Sequence, residues 1–237
     1  MLVKTKAIVL SSLKYQEKSL IVKCLTFSDG IKSYFVNNAF TGKNNKQRVA
    51  FFQPMTQLEI EANHKNKGVL ERFKEVKISH SYRTIHADIV KTTIVLFLSE
   101  MLHHAIKEEG KNEDLFEFLE TAFLWLDHHD EIANFHIIIL LQITKYLGFY
   151  PQNDSEEFSF FDISEGVFVE SQALSCLSSD ETMLFKKLMC LKFDDDQRIF
   201  SGNQRQLLLK ILIDYYSFNI EGFRKPKSLD VLREVFA

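Results

Sequence analysis

Alternation of apolar and polar side chains over the first 80 residues predicts strands. In VKTKAIVL, Val3, Thr5, Ala7 and Val9 share one side while Lys4 and Lys6 take the other. SLIVKCLTF and IKSYFVN flank Ser28-Asp29-Gly30, a tight turn in which Gly30 supplies a positive φ. QLEIEANH alternates from Leu58 to Ala62 and LERFKEVKIS from Leu70 to Ile78, with a turn from His64 to Gly68 between them. Five short antiparallel strands with one long loop suit a small closed barrel, because closure removes exposed edges.

From about Tyr82 the period becomes helical. Asp88 to Lys107 repeats apolar residues at Ile89, Val90, Ile94, Leu98, Met101, Leu102 and Ile106, and Gly110 ends the run. A second helix spans about Asn112 to His128, with Glu113 and Asp114 near its positive end. ANFHIIILLQITKYLGF is apolar nearly all round and reads as a buried central helix, stopped by Gly148 and Pro151. Ser178 with Glu181 has capping-box spacing and opens a helix through Leu191. Further helices run from Gln204 to Ile220 and from Ser228 to Phe236. Residues 158–170, FSFFDISEGVFVE, predict a hairpin turning at Ser164-Glu165-Gly166. The expected fold class is α+β, with a barrel over residues 1–80 and a helical domain over 81–237 that carries the hairpin.

Charge sharpens this division. Residues 1–80 hold 14 Lys and Arg against 6 Asp and Glu, whereas residues 81–237 hold 15 against 26. The net charge of -3 therefore hides a basic first third, the natural partner of a polyanion unless its lysines serve only solubility. The longest apolar runs, such as Ile137 to Leu141, fall far short of the ~20 residues that span a bilayer. Cys24, Cys176 and Cys190 lie far apart without metal-ligand spacing, as expected of buried, reduced thiols in a cytoplasmic protein.

Catalytic signals are absent. No phosphate-binding loop, dinucleotide fingerprint or nucleophile elbow occurs. The pairs His103-His104 and His128-His129 diverge by about 100° on a helix and read as exposed helix-end residues rather than metal ligands. Asp194-Asp195-Asp196 lacks the alternation, glycine and distal Glu of a calcium loop. The chain is not expected to be an enzyme.

One long loop stands out instead. Val36 to Pro54 carries Lys43, Lys46 and Arg48 among five Asn and Gln residues before Phe51, without a single carboxylate. Phe40 lies beside these cations, and Lys14, Tyr15 and Lys18 form a second cluster in the turn after the first strand, with Lys32 on the third. Cations that track phosphates, aromatic rings that stack on bases and amides that bond without sequence demand are the means of binding single strands.

Short segments along nearly the whole chain also resemble one family. Lys6-Ala7-Ile8-Val9-Leu10, Tyr15-Gln16-Glu17-Lys18-Ser19 and Leu25-Thr26-Phe27-Ser28-Asp29-Gly30 look like the "GIVL", "Y-x-E-x-S/D" and "T-x-x-x-G" opening of the bacterial recombination mediator RecO family. Gln53-Pro54, Leu147-Gly148-Phe149-Tyr150-Pro151 and FNIEGFRKPKSL within the tail from Tyr215 to Leu232 fit the same family. The resemblance implies an OB-fold followed by a helical domain. It implies a mediator that binds single- and double-stranded DNA, anneals complementary strands and works with RecR. It also implies engagement of the acidic C-terminal tail of single-stranded-DNA-binding protein during RecA loading, in the cytoplasm at the nucleoid.

Candidate DNA-binding residues are Lys14, Lys18, Lys32, Phe40, Lys43, Lys46 and Arg48, and Arg224 and Lys225 are candidates to meet the acidic tail. Two departures matter. Many relatives carry a four-cysteine zinc module after the "LG-x-x-P" segment, but Gln152 to Ala173 contains no cysteine, so no cofactor and no zinc are expected. The family loop usually reads like "KGARK", whereas Asn37-Asn38-Ala39-Phe40 stands here and positive charge follows later. The rival reading is an interaction scaffold whose barrel binds an acidic protein partner. Both require cations that are concentrated and not consumed by internal carboxylates.

Overall fold

The computed structural model describes residues 1–40, 49–65, 68–107, 110–152 and 158–236 of the 237-residue chain. These divide into two compact units, Met1–His128 and His129–Ala237.

The first unit begins with strands β1 (Leu2–Tyr15), β2 (Ser19–Thr26), β3 (Gly30–Val36), β4 (Gln57–Asn63) and β5 (Arg72–His80). Every ladder is antiparallel and the order is β3-β2-β1-β4-β5. The open edges meet through a parallel bridge at Tyr34 and Glu71, where Phe35 N–H donates to the Glu71 carbonyl at 2.9 Å and Glu71 N–H to Ser33 at 2.8 Å. This closed five-stranded order is that of an OB-fold. Alternate residues, among them Val9, Val22, Tyr34, Leu58 and Ile60, fill the interior.

β1 is longer than its alternation predicts, because a bulge between Val9 and Ser11 lets it leave β4 and continue along β2 to Tyr15. Lys14 and Tyr15 therefore lie on the strand, and Lys18 alone of that cluster occupies the turn. The Leu10 carbonyl at the bulge accepts the Ser99 hydroxyl from helix α1 (Ile89–Ala105).

Asp88 caps α1 by accepting the Lys91 N–H at 2.9 Å. Its last turn packs on the barrel rather than standing free. His103 Nδ1 meets Ser11 Oγ at 3.1 Å, and Lys23 Nζ donates to the His103 carbonyl at 3.1 Å, a cation at a helix C-terminus. Burial, then the charge of Lys23 and His104, brings the His103 imidazole down to about 4, so the expectation of an exposed histidine is corrected here.

Helix α2 (Glu113–His128) ends in an anchor for the segment after the barrel. The buried Asp127 carboxylate accepts the N–H groups of Arg83, Thr84 and Ile85 at 2.8–3.1 Å, and the Thr84 hydroxyl at 3.1 Å. Burial alone would raise its pKa, but these donors outweigh it and hold the group at about 2.

The second unit centres on α3 (Phe135–Tyr146), whose first seven residues are all buried. Around it lie α4 (Ser179–Met189), α5 (Gly202–Asn219) and α6 (Leu229–Val235), with the hairpin β6 (Phe160–Asp162) and β7 (Val167–Val169) against α4. Capping boxes open α4 at Ser178/Glu181 and α5 at Ser201/Gln204. The Tyr216 hydroxyl donates to the Leu140 carbonyl at 2.8 Å, joining α5 to α3. The hairpin holds an aromatic cluster, with Phe161 stacked 4.8 Å from Phe185 and tilted by 47° against Phe168 at 4.9 Å, and Asp162 accepting from Ser164 and Ser175. All three cysteines are free thiols, but Cys24 alone is buried; Cys190 caps α4 in the open.

Asp127→Asn should cost about 2–3 kcal/mol at pH 7, the equivalent of lowering a carboxyl from its ordinary ~3.9 to about 2. A folded pKa below the unfolded one gives stability that is full above pH ~4 and lost as pH falls toward 2. Urea midpoints of both proteins at pH 7 and pH 3 check this: the difference should shrink by about half, and an equal difference at both would rule out the charge.

Candidate nucleic-acid interface

The barrel sorts its cations into two environments. On the exterior of β1, β4 and β5 the register places Lys4 opposite Glu61, Lys6 opposite Glu59 and Glu59 opposite Lys77. Glu61 takes both Lys4, at 3.5 Å, and Lys74, and these partners, Lys74 first, hold its carboxyl below the usual range. Glu75 takes Lys77 at 2.9 Å, and Lys6 reaches Glu120 of α2 at 2.9 Å. The charge on this side is spent internally.

A different arrangement surrounds the end of β1 and the β3–β5 seam. Among the described residues no ion pair involves Lys14, Lys18, Lys32 or Arg72. The Lys14 ammonium lies 5.6 Å from the centre of the Phe40 ring and the Arg72 guanidinium 5.7 Å from that of Phe35. The Tyr15 ring meets Phe35 edge to face at 6.1 Å. Lys18 is exposed in the β1–β2 turn, which Gln16 negotiates at φ 54°. Lys32 acts through space on Asp29.

The seam opens into a groove of about 360 Å³, with Phe35, Asn37, Phe51, Arg72 and Phe73 among the residues of its wall. Its floor is rigid. Phe73 stacks on Tyr34 at 4.0 Å and 15°, and on Phe52 at 5.6 Å and 16°. The buried Tyr34 hydroxyl contacts His64 Nε2 at 2.7 Å, and His64 Nδ1 contacts Asp29 Oδ2 at 3.0 Å. Burial drives the Tyr34 phenol upward. Burial also opposes ionisation of Asp29, but Ser28 and His64 hydrogen bonds and the nearby Lys32 keep its carboxyl below the usual range.

Lys14, Lys18, Lys32 and Phe40 thus belong to the barrel, and the first, second and fourth lie around β1 and the loop that follows β3. Lys43, Lys46 and Arg48 fall outside the described residues, but both flanks of their segment are fixed: Phe40, Val49, Phe51 and Phe52 pack against the barrel core. In the second unit Arg224 is exposed, and Lys225 pairs with Asp214 at 2.9 Å on the surface. Two residues escaped the sequence reading, Phe35 and Arg72. Strand alternation held the signal: Tyr34 and Phe73 point inward, so Phe35 and Arg72 must point out and meet across the seam.

Among the described residues no group of three His, Cys, Asp or Glu side chains is placed to hold a metal, and no helix is long and apolar enough to cross a membrane.

Comparison with known proteins agrees with this architecture. Residues 1–82 match the family model described as Recombination protein O N terminal, and residues 86–230 that described as Recombination protein O C terminal. The proteins named DNA repair protein RecO from Flavobacterium psychrophilum and Flavobacterium johnsoniae are 61% and 59% identical to this chain, over 100% of both sequences in each case. That from Christiangramia forsetii is 42% identical, again over 100% of both. The chain belongs to the RecO family of DNA repair proteins.

Proposed function

We propose that the barrel binds single- and double-stranded DNA without sequence preference, through phosphates drawn to the side bearing Lys14, Lys18 and Arg72, together with Lys32, Lys43, Lys46 and Arg48. The observation that carries this reading is the segregation of charge: one exterior is neutralised by its own carboxylates, while the other keeps Lys14 and Arg72 over aromatic rings. Phosphate neutralisation releases counterions, so affinity falls steeply with salt. In the cell the chain acts as a mediator in the cytoplasm, annealing strands and, with RecR, helping RecA onto DNA coated by single-stranded-DNA-binding protein. Its role is binding, not bond cleavage. Asp29, Glu61, Glu71 and Glu75 each serve a separate local partner, respectively His64, the lysine pair, the Lys65 N–H and Lys77.

Arg224 and Lys225 are proposed to meet the acidic tail of the single-strand-binding partner. Arg224 is exposed, and a peptide carboxylate would take the place of Asp214 on Lys225. The hairpin is proposed to be metal-free: it has no cysteine, and rings and the Asp162 bonds fill the place of ligands.

The triple change of Lys14, Lys18 and Arg72 to Ala should weaken binding to oligonucleotides of any sequence and reduce the slope of log K against log salt by about 2, from ~0.7 per phosphate contact. The same loss of charge at Lys4, Lys6 and Lys77 should leave affinity and slope near those of the parent. Fluorescence anisotropy at four salt concentrations distinguishes them, and equal effects would place DNA elsewhere. Changing Arg224 and Lys225 together to Ala should weaken an acidic peptide severalfold by calorimetry while sparing oligonucleotide binding. Prolonged chelator treatment should leave the melting temperature unchanged; a fall would show a structural metal.

A further inference from the structure

We infer that the groove at the β3–β5 seam takes one unstacked nucleobase, making the barrel a reader of single strands as well as of charge; this rests on the nucleic-acid reading above. A groove of about 360 Å³ stands at the low end of the ~300–1,000 Å³ found for small-ligand sites, the scale of a planar ring rather than of a duplex. Its lining has the chemistry of a base face. Phe35 and Phe51 are half-buried, Phe73 is backed by Tyr34 and Phe52, and Asn37 offers an amide that can both donate and accept.

The charges on the wall select further. Lys74 is held by Glu61 and Glu75 by Lys77, which leaves Arg72 as the wall's cation without an ion-pair partner. Arg72 already lies over the Phe35 ring, so a base stacking on Phe35 would bring its own phosphate toward the guanidinium. Bases within a duplex are stacked and paired, and each would have to be extruded at a cost of a few kcal/mol. The phosphate-binding side accepts either form of DNA, whereas the groove rewards the single strand.

The test compares wild-type binding, at one salt concentration, to a thymidine oligonucleotide and to an abasic oligonucleotide of equal length and charge. The expected result is about tenfold tighter binding to the thymidine strand. Phe51→Leu should remove most of that advantage, leave abasic and duplex affinities unchanged and keep the salt slope, whereas Phe35→Leu, which also unseats Arg72, should weaken all three and the thymidine strand most. Equal wild-type affinity for both strands overturns the inference without needing any variant, and the phosphate reading survives it. Equal weakening of both strands by Phe51→Leu also overturns it. Failure of the wild type to bind either strand at low salt defeats the underlying reading instead. An acidic peptide that displaces the thymidine strand and is weakened by Phe51→Leu assigns the groove to a protein partner and overturns the base.

Discussion

A short parallel pairing between β3 and β5 is what turns five strands into a barrel, and the candidate interface is organised by it. The bridge at Tyr34 and Glu71 fixes which side chains of two strands point inward. A slip of one residue would bury Phe35 and Arg72 and expose Tyr34 and Phe73. That alternative is costly because the Tyr34 hydroxyl is buried beside His64, and His64 beside Asp29. The slip would leave buried His64 without that hydroxyl and bury the Arg72 guanidinium without a counter-charge, at a cost of several kcal/mol, so these polar groups select the register as much as the aromatic stack does. The outward placement of Phe35 against Arg72 is therefore a consequence of how the interior is satisfied.

The same period of two explains why equal numbers of cations have unequal value. On β1 the outward positions Lys4 and Lys6 lie beside a strand whose outward positions are Glu59 and Glu61, and pairing is unavoidable. After the bulge β1 parts from β4 and runs beside β2 alone, so Lys14 has no acidic neighbour strand. One inserted residue separates a self-neutralised surface from one that keeps its field. Lys23 shows a third fate, since its ammonium is committed to the carbonyl end of α1 and burial depresses its basicity.

Much of this was legible in the sequence, for identifiable reasons. Alternation placed all five strands, and Gly30 and Gly166 turn at φ 64° and 72° where the sequence marks turns. The Ser178–Glu181 box and the apolar circumference of α3 were equally plain. The extension of β1 to Tyr15 was not, because a bulge breaks the alternation that reveals a strand. Nor was the start of α5: its cap Ser201 precedes a glycine, which reads as a stop. His103 and Arg72 were misjudged or missed for a common cause. Each takes its role from a residue far away in the chain, Ser11 or Phe35, and local pattern carries no record of such pairings. The charge imbalance was visible as a total, but its distribution depended on register.

The use of aromatic rings as seats for cations completes the physical picture. A carboxylate at ion-pair distance cancels a lysine's field, and a phosphate must displace it before binding. A ring offers an exposed cation only about 0.5–1 kcal/mol, and it does so without contributing an opposing charge. Lys14 over Phe40 and Arg72 over Phe35 are thus oriented and spared the entropy of free side chains, yet remain attractive to a phosphate. Because Phe40 also packs on the barrel core at the threshold of the acid-free segment, its position is set by the fold, and the cation above it inherits that position. Preorganised charge of this kind costs less to engage than lysines that must first be released from glutamates. Of the barrel's two exteriors, the one proposed for the polyanion is thus the one with fewer ion pairs.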